Sequence, residues 1–103
     1  MSHLFSLPAE LTIYTIGGLH AQWLEHLTPP DGEPEDAPCE VQASEVAEVD
    51  AAGVQLLLSL HNTLVRRRRS LYLSQPTPAL TRACTALGAT VLLASCELTE
   101  AAL

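Results

Sequence analysis

Four histidines, three cysteines and one carboxylate at a helix entrance are the residues from which this chain could build chemistry. His20 and His26 are the closest pair of histidines, yet six positions on one helix do not bring two side chains to adjacent turns of a face, so a zinc pair is not expected. His3 and His61 stand apart from them. Cys39, Cys84 and Cys96 are odd in number and lack C-x-x-C spacing, which reads as reduced structural thiols in strands or a buried helix. The chain has no lysine, no Gly-x-Ser-x-Gly elbow and no glycine-rich phosphate loop. Asp50 could be imagined as an acid or base. As a helix cap, however, its ionised form is favoured by amides, which makes it a poor proton donor at neutral pH. The expectation is a non-enzymatic protein without metal site or cofactor.

The elements that would position these residues are organised around residues 46–65. Asp50 is a good N-cap, able to accept hydrogen bonds from amides of the first turn at the positive end of the helix dipole, so a helix should begin at Ala51. Val54, Leu57, Leu58, Leu64 and Val65 follow helical spacing, and Leu56 and Leu60 widen the stripe until the helix must be mostly buried. Arg66 to Arg69 place cations at the negative end of the dipole and read as a solvated helix end.

Upstream, Leu4, Phe5 and Leu7 before Pro8 fit a short edge strand. Leu11 to Ile16 alternates apolar and β-favouring polar residues and reads as the clearest strand of the chain. Gly17-Gly18 should break it, and Leu19, Trp23, Leu24 and Leu27 then recur at helical spacing, with His20, Gln22, Glu25 and His26 outward. Thr28 to Pro38 carries four prolines and four acids, the composition of an exposed loop. Cys39 to Ser44 reads as a strand with Cys39, Val41 and Ala43 on one face. Downstream, Leu71 to Leu73 has apolar residues on both faces, as in a central or doubly covered strand. Thr77 suits an N-cap, Pro78 the first helical position and Gly88 the end of the helix that follows. Thr90 to Leu93 reads as a last strand and Glu97 to Leu103 as a terminal helix.

Strands and helices thus alternate. The expected fold is α/β, a small mixed, mostly parallel sheet of about four or five strands with about four helices, the first strands antiparallel at an edge, in one domain over residues 1–103. At 103 residues and 48% hydrophobic content the chain can bury a core. The formal charge of -7 argues against nucleic acid, which needs a broad basic face. No apolar run reaches the roughly 18 residues of a membrane span, so a cytoplasmic protein without a transmembrane segment is expected. Nine of the twelve acids lie between Glu25 and Asp50, while four of the five basic residues are consecutive, an asymmetry that can steer a complementary partner.

The run from Val41 to Val54 (Val-Gln-Ala-Ser-Glu-Val-Ala-Glu-Val-Asp-Ala-Ala-Gly-Val) resembles the signature of STAS domains, in which a strand and a loop lead to Asp-Ser-Ser/Thr/Ala-Gly-Leu at a helix start. Such domains occur in anti-sigma factor antagonists, sulfate transporters and regulatory subunits of lipid-transport ATPases. Leu11 to Ile16, Leu71 to Gln75 and Pro76 to Gly88 resemble further elements of the family. The resemblance implies a stand-alone bacterial signalling module, anti-sigma factor antagonist-like or linked to chemotaxis or two-component proteins. Its partner-binding surface would be Ser44, Asp50, Ala51, Ala52 and Gly53, facing a kinase-like anti-sigma factor, chemotaxis or two-component protein, with a homodimer left open. The alternative it implies is a regulatory subunit of an ABC lipid-transport complex. The family's phosphoacceptor follows the Asp; here that position is Ala51, followed by Ala52, and neither has a hydroxyl. Gln42 stands where the family usually has Asp. Ser44 matches a loop serine six positions before Asp50 and is not expected to take the phosphate.

Overall fold

The computed structural model describes residues 4–24, 32, 34 and 36–96. Their order is β1 (Leu4–Ser6), β2 (Glu10–Leu11), α1 (Ile16–Leu24), β3 (Cys39–Gln42), β4 (Glu48–Val49), α2 (Ala51–Arg66), β5 (Leu71–Ser74), α3 (Pro78–Ala86) and α4 (Thr90–Ala94). Strands β1, β3 and β5 form one sheet with β3 in the middle, and β2 and β4 form a second, two-stranded one. Every pairing is parallel. The expected mostly parallel α/β architecture with four helices is therefore present. The antiparallel edge is not, since β1 runs parallel to β3. A long crossover separates each parallel pair in the main sheet, and α1 and α2 lie within those crossovers, as parallel pairing demands.

Period-two burial aligns across the main sheet. Phe5, Val41 and Leu73 stand opposite one another and all three are buried, as are the paired Cys39 and Leu71. Glu40 and Tyr72 occupy the other face, where Tyr72 is 37% exposed. Hence β5 is not covered on both faces as its apolar run suggested. Among the described residues it has β3 on one side and, on the other, a bridge to Cys96 in which the Leu73 amide donates to the Ser95 carbonyl at 2.8 Å.

Helix α2 starts where expected, and its buried residues Val54, Leu56, Leu57, Leu60 and Leu64 fill the core from one side. Val65 is 53% exposed and leaves the stripe. The arginines do more than end the helix. Arg68 adopts a left-handed conformation (φ 62), its amide donating to Val65 and that of Arg69 to Leu64, a Schellman closure that usually employs glycine. Arg69 is then turned inward, 6% exposed, with Nε donating to the Ala37 carbonyl at 2.7 Å. The solvated helix end thus stops at Arg68. Helix α3 closes in the same way with glycine itself at the left-handed position, Gly88 (φ 70), and opens as expected with Thr77 capping the Leu80 amide and Pro78 in the first turn.

Two expected strands are something else. Thr90 to Leu93 belongs to α4, because the buried residues Ala89, Leu92 and Cys96 recur at helical spacing and burial overrides the β propensity of Thr90 and Val91. Leu11 to Ile16 contributes only its first residue to β2. Residues 12–15 form a turn, and α1 begins at Ile16 with Gly17 and Gly18 inside it rather than before it. Leu19 and Trp23 are its buried residues, while Leu24 is 52% exposed. Glu25, His26 and Leu27, most of the Thr28 to Pro38 loop and the terminal helix expected at Glu97 to Leu103 lie outside the described residues.

Candidate functional site at the entrance of helix α2

Strand β4 delivers the chain to Asp50 in an extended conformation, so its side chain projects over the first turn of α2 as a capping geometry requires. Oδ1 accepts from the Gly53 amide at 2.9 Å. Oδ2 accepts from the Ile13 amide at 3.0 Å, across 37 residues of sequence. One carboxylate therefore fastens two segments, the helix entrance and the turn after β2. These two amides, Ile13 first and Gly53 second, hold the Asp50 carboxyl below its usual pKa, since they stabilise the charged form.

The turn itself is tied by hydroxyls. The Thr15 hydroxyl accepts from the Thr12 amide at 3.0 Å and donates to the Glu10 carbonyl at 2.9 Å. The Thr12 hydroxyl donates to the Glu10 carboxylate at 2.6 Å and accepts from the Tyr14 amide at 3.3 Å. Backbone amides of Thr15 and Ile16 donate to the Thr12 carbonyl. Such local hydroxyl bonds compete with a strand ladder, which is why the alternating pattern of Leu11 to Ile16 misleads.

Of the residues expected at the docking surface, Ser44 and Ala51 are exposed, Asp50 and Ala52 are half-buried, and Gly53 is buried. Gly53 faces inward: a Cβ built there would stand 2.1 Å from the Leu11 carbonyl oxygen. Its smallness serves close packing of α2 on β2. Two residues that sequence reasoning assigned to a strand join the site instead. Ile13 and Tyr14 sit beside Asp50, 58% and 88% exposed, and the Thr12-x-x-Thr15 spacing was the available sign of a turn.

Asp50 is charged and only accepts. Cys39, Cys84 and Cys96 are free and buried; burial pushes all three thiols up, partly countered at Cys39 by Arg69 and reaching about 11 at Cys96. Among the described residues no three His, Cys, Asp or Glu side chains are gathered as metal ligands, and no helix is long and apolar enough to cross a membrane.

The clamp has a pH signature. Because the folded pKa of Asp50 lies below the unfolded value of about 3.9, its stabilisation is complete above that value and fades as pH falls through the lower folded pKa. Asp50→Ala should therefore lower the urea midpoint clearly at pH 7 and by less at about pH 3, below the unfolded value, where part of the charged clamp's contribution is already lost. Equal destabilisation at both pH values would contradict the charged clamp.

Comparison with known families places residues 4–94 within the family described as Mlab, STAS domain. No curated protein matches the chain.

Proposed function

The chain belongs to the STAS family, and on that premise we propose that it is a non-enzymatic regulatory module of bacterial signalling, anti-sigma factor antagonist-like, that docks a protein partner at the entrance of α2. STAS domains generally mediate protein–protein interactions. The observation that carries the reading is the rigid tip: the Asp50 clamp holds Ala51 outward on a fixed helix end. A phosphate here would add nearly two negative charges beside Asp50, and alanine at 51 and 52 leaves no hydroxyl in the first turn to receive one. The module is proposed to act in one constant form, its partner a kinase-like anti-sigma factor, a chemotaxis protein or a two-component protein.

The test pairs Ala51→Arg with Ala51→Gln, so that bulk is separated from charge. Ala51 is exposed, and both variants should keep the far-UV circular dichroism and melting temperature of the parent. Capture of partners from cells, identified by mass spectrometry, should fall at least about tenfold with arginine, as for loss of a central contact. Capture unchanged by both variants overturns the reading. Co-purification with an ATP-binding cassette subunit in place of a signalling protein would instead assign the domain to a lipid-transport complex.

A further inference from the structure

The turn at residues 12–15 is fixed by hydroxyl, amide and carboxylate bonds from Glu10, Thr12, Thr15 and Asp50, yet the side chains it presents, Ile13 and Tyr14, point to solvent. An aromatic ring held out on a rigid turn loses little freedom on binding, the property of an interface anchor. Tyr14 also stands on a ridge. It lines a groove of about 670 Å³ with Glu10, Glu48, Asp50 and Arg82, and a second of about 490 Å³ with Leu19 and Gln22. In the first groove three carboxylates face one guanidinium.

Resting on the docking reading above, we propose that Ile13 and Tyr14 anchor the docking surface, and that the partner is a protein whose contacting face sets lysine or arginine side chains around an apolar pocket that takes the Tyr14 ring. The three carboxylates would repel a phosphate-rich surface, whether nucleic acid or anionic lipid. A second copy is disfavoured because apposed tips would bring like charges together. The arginines of the same helix begin some 15 residues from the tip, roughly 22 Å along the axis.

The test uses the full chain with a photo-crosslinking phenylalanine analogue at position 14, irradiated in cells, and sequencing of the attached peptide by mass spectrometry. The expected product joins position 14 to apolar residues flanked by lysine or arginine on another protein. A cross-link to a second copy, to lipid or nucleic acid, or to an acidic peptide overturns the proposal, as does the absence of any product. With the identified protein purified, Tyr14→Ser should weaken binding about 30-fold. Glu48→Lys should slow association on the order of tenfold and reduce its salt dependence, while Arg67→Glu at the far end should change neither. If Tyr14→Ser and Glu48→Lys bind like the parent but Ala51→Arg does not, this proposal falls and the docking reading stands; if Ala51→Arg and Ala51→Gln also bind like the parent, both fall.

Discussion

Replacing Gly53 by alanine should remove a large part of the protein's stability. The added methyl would lie 2.1 Å from the Leu11 carbonyl oxygen and 2.9 Å from both its carbonyl carbon and its Cγ, distances that no side-chain rotation relieves because the nearest atoms are backbone. The backbone cannot give way cheaply either. Leu11 is fully buried, pairs with Val49 in the β2–β4 ladder and accepts the Asp50 amide through that same carbonyl. Relief requires α2 to lift from β2, which separates Asp50 from Ile13 and opens the core beneath Val54 and Leu57. Overpacking relieved by a backbone shift costs about 1–3 kcal/mol, and loss of the packed helix entrance brings the expectation to about 4 kcal/mol or more. Small domains are stable by about 5–15 kcal/mol, so the variant should unfold at much lower urea. An unchanged midpoint would mean that α2 does not pack on Leu11 in this way.

Trp23→Ala should have the next largest effect. Helix α1 has nine residues, two of them the exposed Gly17 and Gly18, each about 1 kcal/mol poorer than alanine in a helix. So short and glycine-rich a segment is not a stable helix by itself. Burial of Leu19 and Trp23, 5% and 2% exposed, therefore maintains it. Truncating a buried tryptophan costs about 3–5 kcal/mol. Amides of residues 16–24 should then exchange with solvent far faster than those of α2, and the global midpoint should fall. Protection of α1 equal to that of the parent would refute this account.

The sequence was most legible where one local cause sufficed. Asp50 and Thr77 cap the helices they were expected to cap, because a short oxygen-bearing side chain before an apolar period has few other uses. Cys39 and Val41 are buried on one face of β3 because alternate residues of a strand share a face. Reading failed where two causes competed. The types of Leu11 to Ile16 favour a strand, but the hydroxyls of Thr12 and Thr15 close a turn and release Ile13 and Tyr14 to the surface. Thr90 to Leu93 looks like a buried strand, but its burial has the period of Ala89, Leu92 and Cys96. Gly53 was read as a place for a partner to approach, although it lies four residues before Leu57 and so on the inward face. Arg69 could not be distinguished from its three neighbours, because its inward turn depends on the left-handed conformation of Arg68.

The forked carboxylate of Asp50 grips a loop and a helix that are remote in sequence, so positions 13, 14 and 51 are held at a fixed spacing. None of those three side chains takes part in the grip. Their identities can therefore drift while the geometry that relates them stays the same.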